Sequence, residues 1–286
     1  MWIIYALIAA FFAGLVSVLA KIGIKNTDSN LAMALRTIVV VGFAWLLVFV
    51  VGSYTSITTI AHKSLLFLIL SGLSTGGSWI YYFKALQIGD VNKVVPVDKS
   101  STILTMLLSI CFIGEEITVI KICAMIMIGA GTYLMIERKE TVPNNANGCK
   151  WLFYAVLSAV FASLTAVFGK VGIEGVESNL GTAIRTVVVM VMAWLIVFMQ
   201  GKQKEIKRIG LRSWWFIGLS GLATGLSWLF YYRALQEGPA SVVVPIDKLS
   251  ILVTVGFAYF VLHEKLKKQS AAGLAMLLVG TLSLLI

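Results

Sequence analysis

Two octapeptides carry charge into otherwise apolar sequence: "VVPVDKSS" at residues 94–101 and "VVPIDKLS" at residues 243–250. Asp98 and Lys99 are adjacent, as are Asp247 and Lys248, so on a helix they point about 100° apart and cannot neutralise each other face to face. A charge near the middle of a bilayer costs roughly 2.5–3.5 kcal/mol on insertion scales, so each needs a partner elsewhere. The candidates are the other octapeptide's Asp or Lys, Arg36, Arg185, Lys84, Arg233, water or a bound solute. A buried carboxylate can also take a proton on one side of a membrane and release it on the other, which makes Asp98 and Asp247 proton-carrier candidates. Proline suits the first turn of a helix, where an acid also sits well. The preceding valines and the length needed to span instead extend the helix backwards and turn Pro96 and Pro245 into kinks.

A second pair of stretches precedes these. In "SGLSTGGSWIYYFKALQIG", Gly72, Thr75, Ser78, Trp79 and Tyr82 fall along one helical face, and "SGLATGLSWLFYYRALQEG" repeats that face with Gly221, Thr224, Ser227, Trp228 and Tyr231. One account is helix packing through Gly72/Gly76 and Gly221/Gly225, with Trp and Tyr in the interfacial belt. The other is a cavity wall of hydroxyls and aromatic rings able to stack on a planar solute or hold a cationic headgroup. Arg36 and Arg185, a turn or two into their helices, either snorkel to the headgroups or face inward towards substrate or a carboxylate. Snorkelling is the expectation for Lys21 and Lys170, and an interfacial turn for Glu115 and Glu264.

The elements that must hold these residues follow from composition. The chain has 286 residues, 59% hydrophobic and 13% charged, with a mean hydropathy of +0.94, a balance that makes the bilayer its solvent. The formal charge of +10 lies mostly between apolar runs and forms no basic stripe with aromatics, so it reads as topology and not as nucleic-acid binding. Cys111, Cys123 and Cys149 lack metal-ligand spacing, His62 and His263 stand outside the apolar runs, and no phosphate-binding GxxxxGK[ST] loop occurs, so neither metal nor cofactor is called for. The start "MWIIYALIAAFFAGL" reads as a retained first membrane helix.

Apolar runs near residues 2–22, 31–52, 64–84, 94–113 and 117–136 are followed by others near 151–171, 180–200, 212–234, 242–262 and 269–286. Shifted by 149 positions, the distance from Asp98 to Asp247, the halves align without a gap, and roughly 40% of paired positions are identical. The reading is an all-α integral membrane protein of ten transmembrane helices. Residues 1–137 form the first five-helix repeat, 138–150 a polar linker and 151–286 the second repeat. An odd number of crossings inverts the second copy, the plan that alternating access uses. Lys and Arg concentrate on one side of such a fold, among them Lys21, Lys84, Lys150, Lys202 and Lys268, which by the positive-inside rule puts both termini outside the cytoplasm.

Both repeats, with "SWIYYFKALQIG" and "SWLFYYRALQEG", the two octapeptides and the later Glu, resemble the EamA-type proteins of the drug/metabolite transporter superfamily over essentially the whole chain. The resemblance implies a central cavity lined by the first, third and fourth helices of each copy. That places Trp79, Tyr82, Asp98 and Lys99, with Trp228, Tyr231, Asp247 and Lys248, near the cavity, and it implies cytoplasmic termini. The expectation is a secondary transporter of the cell membrane, more an exporter than an importer, driven by the substrate gradient or a proton, with membrane lipid around it, as monomer or homodimer. Inward-facing cations exceed anions, so an amino acid or similar zwitterion is the expected substrate. A quaternary amine or drug, or a channel or lipid scramblase, are the alternatives. An enzyme is not expected, because no His lies within a span.

Overall fold

Helix starts and stops repeat at equivalent places in the two halves. In a computed structural model, residues 1–23, 27–88, 94, 97–135, 150–262 and 268–285 are described. Pro96, His263, Glu264, Cys149, most of the linker and the side chain of Lys21 lie outside them. Helix α1 is Trp2–Gly23 and α2 is Ser29–Val51; α3 is His62–Ile88, α4 Ser101–Leu108 and α5 Val119–Met135. In the second half α6 is Lys150–Ile173, α7 Ser178–Met199, α8 Leu211–Glu237, α9 Ala240–Lys248, α10 Ser250–Leu262 and α11 Lys268–Ser283. Asp28 caps α2 by accepting from the N–H groups of Asn30 and Leu31, and Glu177, 149 positions on, caps α7 by accepting from Leu180. Gly52 at φ 80° and Gly201 at φ 67° end those helices in the left-handed conformation, and a short 3-10 turn follows each.

All described elements are helical. Among the described residues five helical segments are long and apolar enough to cross a membrane: Ser29–Val51, His62–Tyr82, Lys150–Ile173, Ser178–Met199 and Ala240–Phe257. Trp2–Val16 and Val119–Met135 are shorter apolar helices. Large side chains such as Leu46, Phe49, Phe112, Ile126, Phe153 and Met199 point outward, as a lipid-facing surface requires.

The two halves interlock. Helix α3 packs along α6 and α1 along α8, so each half's third helix lies on the other half's first; α2 crosses α7 and α5 crosses α11. Glycine makes the close crossings possible. A Cβ on Gly72 would stand 2.7 Å from Val188 Cβ, and one on Gly221 would stand 2.7 Å from Val39 Cβ. These glycines therefore serve helix packing, and the face drawn from sequence divides, with Gly72 and Gly76 turned to α7 while Ser78 turns to α6. Between α5 and α11 the approach is tightest, because a Cβ on Gly131 or on Gly273 would lie 2.6 Å from the other's carbonyl oxygen. Backbone cannot yield as a side chain can, so Gly131→Val should lower stability by about 1–3 kcal/mol or more. The same change at Gly42, which has open space around it, should stay within about 0.5 kcal/mol. Thermal unfolding in detergent compares the two.

The fourth helix of each half is interrupted just after its Asp-Lys pair. Ser100 (φ −62°, ψ −13°) separates the helical residues 97–99 from α4, and Leu249 (φ −62°, ψ −12°) separates α9 from α10. The N–H of each reaches back only three residues, Ser100 to the Val97 carbonyl and Leu249 to the Ile246 carbonyl, at 3.2 and 2.9 Å. Pro245 stands inside α9, six residues after the capping Pro239, and the interruption follows four residues later. In the first half α4 runs into a π-helical turn, Ser109–Ile113.

Candidate functional site

Helix α9 packs against α4, which brings the two interrupted helices together. Lys99 lies within electrostatic reach of Asp98, Asp247 and Lys248. By surface area it is exposed, yet protein surrounds it, the combination that a water-accessible recess between the halves produces. The reciprocal ion pairs expected from sequence do not close: among the described residues no Asp–Lys pair in this cluster reaches ion-pair distance. Arg233 pairs instead with Glu237 at 2.7 Å on the exposed end of α8, and Lys84 is exposed.

The two aspartates are held differently. Asp98 Oδ1 accepts from the Ser158 hydroxyl of α6 at 2.7 Å, and Ser158 Oγ is also 3.3 Å from Ser78 Oγ. Tyr82 lies within electrostatic reach of Asp98 and packs with Ala85, Val94 and Ala155. At Asp247 the described residues supply no hydrogen-bond donor. Tyr231 and Tyr232 face it electrostatically, and Ser227, the counterpart of Ser78, donates instead to the Ala9 carbonyl at 3.0 Å.

Arg185 is the most elaborately held charge. It is 2% exposed; its Nε donates to Ser71 Oγ at 2.9 Å and its Nη2 to Thr75 Oγ1 at 2.6 Å. Its guanidinium carbon stands 5.0 Å from the Trp228 ring centre and 4.7 Å from that of Tyr232, a double cation–π contact. Among the described residues Nη1 has no hydrogen-bond partner and no carboxylate pairs with Arg185. Arg36 occupies the equivalent place, with one long contact of 3.5 Å from Nη1 to Ser220 Oγ. Both arginines thus turn inward, to serines that are themselves counterparts.

The looser hold on Arg36 has a cause in composition. Thr75 is 3.3 Å from Thr165, and Ser71 donates to the Thr165 carbonyl at 2.7 Å. The counterparts of Ser158 and Thr165 on α1 are Ala9 and Val16, so the α3–α6 seam is rich in hydroxyls while the α1–α8 seam is not. Thr224 only bonds back to the Ser220 carbonyl at 2.7 Å. Of the other residues singled out from sequence, Trp79 stands apart from the charges, packed with Leu31, Leu35 and Ala193 on α2 and α7. Sequence reasoning missed Ser71, Ser158, Thr165 and Tyr232. Ser71 persists as Ser220 and was findable by comparing the halves, whereas Tyr232 answers to Phe83 and the other two to Ala9 and Val16.

Two expectations are corrected at one end of the fold. Lys170 does not snorkel: its ammonium donates to the carbonyls of Leu235 and Gly238, the latter at 2.7 Å, and so caps the C-terminus of α8. Nor is Glu115 merely part of an interfacial turn. It reaches from the first half to the start of α9, where it accepts from the N–H groups of Ala240 at 2.6 Å and Ser241 at 3.2 Å and from the Ser241 hydroxyl. Lys121 pairs with it at 3.6 Å.

Two interlocked halves, apolar outside and polar where they meet, fit a multi-pass membrane protein. Residues 1–137 and 149–286 each match the EamA-like transporter family, and the chain belongs to that family. A Sinorhizobium sp. protein described as an "Uncharacterized transporter in cobO 3'region" is 47% identical over 134 residues, which span 47% of this chain and 95% of that protein. A crystal structure at 14% identity superimposes over 99% of this chain and 96% of its own with a TM-score of 0.81, a likeness of fold alone.

Proposed function

We propose that the chain is a secondary active transporter of the cell membrane that exports a small zwitterion, an amino acid or a molecule like it. In this reading residues 1–137 and 151–286 are inverted five-helix repeats of a ten-span protein joined by 138–150, working as monomer or homodimer. The repeats alternate access to a site formed by Thr75, Ser78, Tyr82, Asp98, Lys99, Arg36, Arg185, Thr224, Ser227, Trp228, Tyr231, Asp247 and Lys248, with Trp79 supporting it from behind. Coupling runs through a proton, with Asp98 and Asp247 the candidate carriers.

The observation that carries the reading is the unpartnered Nη1 of a buried guanidinium. A site that orients Arg185 with two hydroxyls and two rings, and gives it no carboxylate, is built for an anionic group of the solute. The Asp-Lys cluster nearby supplies partners for an ammonium group. A quaternary amine is less well served, because the Trp228 and Tyr232 faces that would receive it are already occupied by the guanidinium. Counterflow in proteoliposomes tests this, with labelled amino acids set against amines and sugars. Saturable uptake accelerated by amino acid on the opposite side is expected. Uptake without such acceleration would instead place the protein among channels or scramblases, and selective acceleration by amines would reverse the substrate assignment.

A further inference from the structure

Resting on the transporter reading above, we infer that Asp247, the aspartate that no described donor holds, is the proton-binding carboxylate of the pair. The aspartates occupy the same place in the two repeats, each just before its interrupted turn, but their second helices of contact differ by one atom that matters. Ser158 donates to Asp98 at 2.7 Å, and Ser78, 3.3 Å away, backs it with a second hydroxyl. A donor aimed at a carboxylate favours its charged form. The counterpart of Ser158 in the other repeat is Ala9, fully buried and without a hydroxyl, and Ser227 spends its proton on the Ala9 carbonyl.

Among the described residues Asp247 has charges around it and no hydrogen bond. The groups within electrostatic reach are Lys248 on its own helix, Lys99 from the other repeat, and Tyr231 and Tyr232 on α8, with Arg185 of α7 behind the tyrosines. Helices α1, α6 and α11 also pack on α9, and among their described side chains none acts electrostatically on Asp247. Either a proton from water or the ammonium of a solute completes such a group, and the two exclude each other. Protonation adds H⁺ to the carboxylate and arrival of the solute's ammonium expels it, so proton and solute move in opposite directions.

Infrared difference spectroscopy of the full chain in lipid nanodiscs, titrated between about pH 5 and pH 9, tests the assignment without a solute, since surface carboxylates are ionised over most of that range. The carbonyl stretch of a protonated acid should grow on acidification in the natural protein and in Asp98→Asn, and vanish in Asp247→Asn. Ala9→Ser, introduced to offer Asp247 the missing donor, should lower the midpoint by about one to two pH units, the size of one hydrogen bond to a charged group. A band that survives Asp247→Asn, a band lost in Asp98→Asn, or no titrating acid in any variant overturns the inference. The transport reading fails separately, on the exchange assay, because the titration needs no transport.

Discussion

An Arg185→Gln protein is expected to fold and to bind its solute about thirty-fold more weakly, or worse. Removing one partner from a buried, hydrogen-bonded charge pair costs about 2–5 kcal/mol, and each 1.4 kcal/mol is tenfold. Folding should survive because, among the described residues, no carboxylate pairs with Arg185 and none is stranded by its loss. Glutamine also keeps a donor for Ser71 or Thr75, which hold the guanidinium now. Arg185→Lys should recover little, since a point charge cannot serve two hydroxyls and two ring faces at once. Arg36→Gln should cost less, as its contact to Ser220 is 3.5 Å long. The concentration dependence of counterflow measures each. Unchanged affinity in Arg185→Gln, at unchanged melting temperature, would reduce Arg185 to a structural cation.

The second large effect is expected from Glu115→Ala. The residue lies in one half and caps a helix in the other, so the substitution both uncaps α9 and unfastens the halves at that end. Loss of a capping side chain costs about 0.5–2 kcal/mol. If that cost falls on the closed arrangement alone, the population open at this end rises by about two-fold to thirty-fold. Ser241→Cys in the two backgrounds reports it through the rate of reaction with a membrane-impermeant maleimide. Glu115→Gln, which keeps an acceptor but not the charge, should fall between. Equal rates in all three backgrounds would show that the contact does not hold the end closed.

Much of this architecture was legible in the sequence, for identifiable reasons. A duplication displays itself as a constant offset, so the two halves and the charged octapeptides at 94–101 and 243–250 needed no structure. The extended helix before Pro245 also followed, because spanning length and the valines demanded it. What escaped were contacts between distant parts. Glu115 finds Ala240 and Ser241 across more than a hundred residues, and nothing local to Glu115 announces a helix N-terminus beside it. Trp79 shares the helical face of Ser78 by arithmetic, yet the crossing of α7 over Gly72 and Gly76 divides that face between two neighbours. Ser158 and Thr165 were invisible to a comparison of halves because their counterparts are apolar. Persistence finds what the copies share, and here the departures from symmetry set how each charge is held.

The crossing of α5 and α11, like that of α2 and α7, joins corresponding helices of the two copies. Exchanging the copies' conformations therefore carries the α5–α11 crossing onto itself, with the Gly131–Gly273 contact answering to that of Gly280 with Ala124. Such a point is a fulcrum. In the alternating-access cycle proposed above it would bear load throughout and favour neither stroke, whereas contacts such as that of Glu115 would be surrendered and regained. Damage at the fulcrum should therefore shorten the lifetime of the folded protein without tilting it towards either side of the membrane.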